Sequence, residues 1–118
     1  MTASRTLVFA AVLAGFVAFA LPARADQTAT STISQLKVLE RSDSRYKLFH
    51  GALWLQVDKA THNYRWGGKH CNNAGLSDVS LRMLFDAFRE KDSIAVEYTA
   101  VKYKDQTSRC VTGFTVTR

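Results

Sequence analysis

Past residue 32 apolar and polar side chains begin to alternate, and a single helical stretch interrupts that period before the end. In Ile33 to Glu40, Leu36, Val38 and Glu40 take one side and Lys37 and Leu39 the other, which is the period of two of a strand. Ser42-Asp43-Ser44 interrupts it with side chains that bond their own backbone, the chemistry of a turn. Tyr46 to His50 resumes as a second extended stretch, and Gly51 marks a bend or bulge. Leu53, Leu55 and Val57 then oppose Trp54 and Gln56, the clearest alternation in the chain. Asp58-Lys59-Ala60 turns the chain into a third extended piece, Thr61 to Trp66, which ends at Gly67-Gly68.

Lys69 to Gly75 reads as a loop, and after it the period changes to that of a helix. Leu81, Leu84, Phe85 and Phe88 recur at i, i+3, i+4 and i+7. Ser77 is placed to cap the first turn, with Asp78 at the positive end of the helix dipole. Leu76 and Leu81 stand at the positions of a hydrophobic staple. Arg82, Asp86, Arg89 and Glu90 mark the outer face. The period of two returns with Ile94, Val96 and Tyr98. Val101 and Tyr103 follow in the opposite phase, which predicts a bulge near Thr99-Ala100. Lys104 to Arg109 is a polar hairpin connection, and Cys110, Thr112, Phe114 and Val116 form the inward side of a last strand. The expectation is a mainly β domain with one helix. Its order, β-β-β-α-β-β, is that of a five-stranded OB-fold-like barrel.

The front of the chain follows different rules. Arg5 precedes an uncharged run from Leu7 to Leu21, Pro22 breaks it, and Ala23-Arg24-Ala25 has the small-x-small pattern of a cleavage site. As a membrane span the run falls short, because fifteen residues reach only ~22 Å of the ~30 Å hydrocarbon core. Residues 1–25 are therefore expected to be a signal peptide, 26–32 a flexible polar leader and 33–118 the barrel domain. No membrane span remains after cleavage, and the domain works outside the cytoplasm, in the periplasm or secreted.

Composition adds two constraints. The chain has 118 residues and a net charge of +6. Removing Arg5 and Arg24 with the leader leaves fourteen Lys and Arg against ten Asp and Glu, a net +4. The cations are scattered, which permits steering toward anionic surfaces but builds no polybasic patch. Cys71 and Cys110 are the only cysteines. In an exported chain they predict one disulfide, with a pair of buried thiols as the alternative. The three histidines, His50, His62 and His70, show neither helical i, i+4 spacing nor a Cys-x-x-Cys partner, so no metal site or cofactor is expected. His70 beside Cys71 would ligate a metal only if the thiol were free. Gly67-Gly68-Lys69 lacks the Ser or Thr of a phosphate loop. No nucleophile-elbow signature is present, and Asp86 with Glu90 reads as a solvated helix edge, so no enzyme is expected.

The segment Leu76 to Tyr103 resembles the helix-and-strand region of OB-fold B subunits of AB-type bacterial toxins, in the subtilase-cytotoxin and pertussis-like branch. Cys71, the run LRMLFDAFREKD (Leu81 to Asp92) and the strand IAVEY (Ile94 to Tyr98) carry the likeness. The resemblance implies a homo-oligomeric ring, a pentamer in those toxins, with helices lining its pore. It also implies a partner A subunit and a glycan or host-surface receptor. No sugar-binding residue is carried over from it.

The residues themselves suggest where a ligand would sit. Trp54 looks away from the Leu53, Leu55, Val57 face, and Tyr64 and Trp66 share one side of their strand. Exposed rings stack on the apolar faces of sugars, while Asn63, Arg65, Asn72 and Asn73 would bond hydroxyls or an acidic sugar's carboxylate. The same rings would serve instead to close the ends of a small core. Two other functions stay open: an exported domain that binds or inhibits another protein of the cell envelope, and a single-strand nucleic-acid binder. Export and the lack of a concentrated basic stripe argue against nucleic acid.

Overall fold

The computed structural model describes residues 26–118, so the expected signal peptide lies outside the described residues. In chain order the elements are β1 (Asp26–Gln27), β2 (Ser31–Val38), β3 (Gly51–Val57), β4 (Ala60–Trp66), a 3-10 turn (Lys69–Cys71), α1 (Asp78–Glu90), β5 (Ser93–Tyr103) and β6 (Gln106–Thr117). Hydrogen bonding runs β5-β2-β3-β4-β6 and returns from β6 to β5, so five strands close on themselves. Every pairing is antiparallel except β4 with β6, where Arg65 lies opposite Cys110. This is a five-stranded mixed barrel of OB type with α1 between its third and fourth strands, as the periodicity predicts.

The interior is apolar. Ile33, Leu53, Leu55, Tyr64, Trp66, Ile94, Val96 and Val111 face one another across the barrel, joined by Leu84 and Ala87 of α1. In β2 the register slips between Ile33 and Gln35, so Ser34 bulges and both Ile33 and Leu36 reach the core although they are three residues apart. Trp66 fits because Gly51 faces it: a Cβ at Gly51 would overlap the indole ring.

The leader is not loose. Asp26 and Gln27 pair with Tyr98 and Glu97, and Thr28 both donates its N–H to the Val96 carbonyl and accepts the Val96 N–H on Oγ1, each at 2.9 Å. The reason lies in β5, which pairs with β2 only at Ser93 and Ile94 and leaves the next backbone groups on that edge without partners. A polar segment supplies them through its backbone and the Thr28 hydroxyl, which hydropathy does not report.

The second extended stretch also differs from expectation. Tyr46 to His50 is not strand: the N–H groups of Leu48 and Phe49 both donate to the Arg45 carbonyl, so the segment coils. Its first turn is the expected one, with Asp43 accepting the Arg45 N–H at 2.8 Å and gripping the Arg45 guanidinium. The coil buries Phe49 and Leu39 on Ala52, with Tyr46, Leu48 and Trp54 against them. Burial against β3 outweighs the weak local preference of these residues for strand.

In the last hairpin the phase slip falls on β6 rather than near Thr99-Ala100. Glu97 pairs with Gly113 and Tyr98 with Val111, leaving Thr112 as the extra residue. Phe114 and Val116 pack on the core as expected, whereas Val111 takes the inward place assigned to Cys110, and Thr112 is exposed. The hairpin turn is only Lys104–Asp105, since Tyr103 already pairs with Gln106.

Ser77 caps α1, its Oγ accepting the Ser80 N–H at 3.1 Å, and Leu76 and Leu81 both pack on the core. Leu84 and Ala87 are its buried residues, while Phe85 and Phe88 stay 52% and 40% exposed. The 3-10 turn delivers Cys71 to Cys110, and the two form a disulfide with Cα atoms 5.5 Å apart. Closing a loop of 39 residues stabilises the fold by about 4 kcal/mol on the chain-entropy account.

Candidate functional site

Because β3 and β4 are joined by the two-residue turn Asp58–Lys59, their register is fixed: Trp54 faces Asn63 and Ala52 faces Arg65. These four residues share the outer surface of the hairpin, since Leu53 and Leu55 take the inner one. Trp54 and Asn63 are half-buried and look outward; Ala52 is covered by Phe49 from the coiled β2–β3 connection. In OB barrels this surface, flanked by the connection between the first two strands and the hairpin between the last two, is the usual place for oligosaccharides and oligonucleotides.

Arg65 organises the centre. Its guanidinium lies 4.4 Å from the centroid of the Phe49 ring, and its Nη1 is 2.8 Å from Nδ1 of His70. An arginine only donates, so Nδ1 of His70 accepts and the imidazole is neutral with its proton on Nε2. His70 is 7% exposed, parallel to Phe49 at 6.0 Å and tilted against Tyr103 at 5.7 Å. Burial holds the His70 pKa below the usual histidine range, and the Arg65 charge pushes the same way. Arg65 itself is shifted down by burial alone. Among the described residues no carboxylate forms an ion pair with it. A half-buried, rigidly held cation that lacks a counter-charge is poised for an anionic group.

Next to His70 opens a shallow cavity of about 420 Å³, lined by Leu48, Tyr103, Lys104, Asp105 and Gln106. A separate cleft of about 440 Å³ lies between the β2–β3 connection and the start of α1, with Glu40, Arg41, Tyr46, His50, Asn73 and Asp78 on its walls. Among the described residues no group of His, Cys, Asp and Glu is arranged to hold a metal ion.

Of the residues expected to bind a ligand, the structure brings Trp54, Asn63 and Arg65 together. It removes Tyr64 and Trp66 as stacking platforms: they are 2% and 1% exposed, opposite Leu53 and Gly51 inside the barrel. The two-residue turn carries that information, because pairing Val57 with Ala60 forces Tyr64 onto the Leu53 side. Asn72 and Asn73 are exposed and left-handed, as the tight turn after Cys71 requires, and Asn73 lines the other cleft. Phe49 and His70, which touch Arg65, and Tyr103, which packs on His70, carry no sequence signal beyond their residue type. No known protein-family profile matches this chain, and no curated protein matches it in sequence.

Proposed function

We propose that this protein is an exported, non-enzymatic binding module whose outer β3–β4 surface takes a glycan bearing a carboxylate. The uncompensated Arg65 carries the reading. Its guanidinium offers a two-pronged donor matched to a carboxylate, and Phe49 and His70 hold it in place before any ligand arrives. Trp54 supplies an apolar ring beside it, and Asn63 a short amide that both donates and accepts. The disulfide and the leader sequence support a working place outside the cytoplasm, periplasmic or secreted. The resemblance to toxin B subunits supports a sugar as the ligand class, with ring assembly and an A subunit as further expectations of the same likeness.

A glycan array probed with the purified chain tests this. Carboxylate-bearing glycans are expected to be retained over their neutral counterparts, and Arg65→Gln and Trp54→Ala each to weaken retention at least about tenfold, the loss of one charged or stacking contact. Retention of neutral sugars alone, or binding unaffected by Arg65→Gln, contradicts the proposal. Light scattering of the same sample reads whether copies associate, for instance through the exposed Val79, Met83, Phe85 and Phe88 of α1.

A further inference from the structure

The C-terminal part of the β2–β3 connection, residues 46–50, is held by two histidines. His70 receives the Arg65 N–H, which requires it to be uncharged, stacks on Phe49, and hydrogen-bonds through its backbone N–H to the Leu48 carbonyl at 2.9 Å. The His50 ring lies flat on Tyr46, with centroids 4.0 Å apart and planes 6° apart. Its far side rests on Gly67, where a Cβ would overlap the ring and where φ is +74°. With the rings so placed, Phe49 and Leu39 pack on Ala52.

We propose that this connection is an acid-released flap: protonation of His70 and His50 detaches it from the outer β3–β4 surface and uncovers that surface around Arg65. The charges around each ring set the direction. His70 faces Arg65 from β4 and shares its cavity with Tyr103, Lys104 and Asp105 of the β5–β6 hairpin. Once protonated it has no lone pair for Arg65, and two cations lie 2.8 Å apart. His50 faces Arg41, Glu40 and Tyr46 of the connection and Asp78 of α1. Burial first and Arg41 second hold its pKa down. Both histidines thus bind protons more weakly in the closed form than in an open one. Closure is at full strength above about pH 6.5, the ordinary histidine value, and weakens as pH falls below it toward the depressed values. Each proton taken up on opening raises the opening constant about tenfold per pH unit within that window.

Amide hydrogen exchange of the purified chain, compared as protection factors between about pH 7.5 and about pH 5, tests the flap. Protection at Leu39, Leu48, Phe49, Lys69 and His70 is expected to fall at least about tenfold, while the β5–β6 ladder stays unchanged. In the double variant His50→Gln/His70→Gln the acid step should vanish. Should that variant fail to fold, the ring resonances of His70 in the unaltered chain decide: they must titrate below about pH 6.5. Flat protection across the range, an acid step that persists in the folded double variant, or His70 titrating at or above its ordinary value overturns the proposal.

Discussion

Both surfaces of the β3–β4 hairpin have aromatic rings packed on them, yet they are organised by different forces. Inside, Leu53, Leu55, Tyr64 and Trp66 are almost fully buried among other apolar side chains, and their contribution follows from area removed from water. Outside, Ala52, Phe49 and Trp54 are joined by a cation and an imidazole whose hydrogen bond works in only one protonation state. The inner surface presents no charged group, and burial pushes the Tyr64 hydroxyl's pKa up. The outer surface holds a charge without its counterpart, so its energetics depend on what comes to meet it.

Substitutions should separate the two surfaces by size of effect. Leu53→Ala, at a fully buried inner position, is expected to cost about 2–5 kcal/mol in chemical denaturation. A loss under about 1 kcal/mol would mean that the barrel interior is not the principal core. Cys71→Ser with Cys110→Ser removes about 4 kcal/mol of loop-closure stabilisation, read as a lower midpoint in urea under non-reducing conditions. Gly51→Ala pushes a methyl group into the Trp66 ring and should cost about 1–3 kcal/mol, with a shift in buried-tryptophan fluorescence as the signature. Ser77→Ala removes one cap hydrogen bond from α1 and is worth about 1 kcal/mol. Smallest of all on stability is Arg65→Met. Relief of the buried charge offsets the bond lost to His70, so the net change should stay within about 1 kcal/mol while carboxylate binding disappears. A loss comparable to that of Leu53→Ala would assign Arg65 to structure rather than recognition.

How far the sequence speaks follows the same division. Period and phase located β3, β4, β5 and α1, and the cap at Ser77, because each is a local preference reinforced by burial on one side. Two cysteines left a single intramolecular pairing. Tyr46 to His50 misled because an apolar run buried on the outside of a sheet looks, residue by residue, like a strand buried on the inside. Thr28 was opaque for the opposite reason: its role is to satisfy backbone groups of β5, and polar residues do that without any periodic mark. At the site, the outward aim of Trp54 is legible from the alternation of β3, whereas Asn63 and Arg65 are legible only by residue type and by nearness in sequence. Tyr64 and Trp66 lie inward because the two-residue turn Asp58–Lys59 sets a register that puts them opposite Leu53 and Gly51, a long-range consequence that the alternation within β4 alone does not show. His70 could not be placed beside Arg65 by pattern, since the 3-10 turn that brings it there rests on Gly67 and Gly68 at positive φ.

The seam between β4 and β6 rests on a single aligned residue pair, Arg65 with Cys110, and the sulfur bridge crosses at that point. A chain emerging from its N-terminus therefore cannot complete the cylinder until nearly its final residues are free. Until then it stays an open sheet, and the Cys71–Cys110 bridge afterwards locks the late-arriving strand in place.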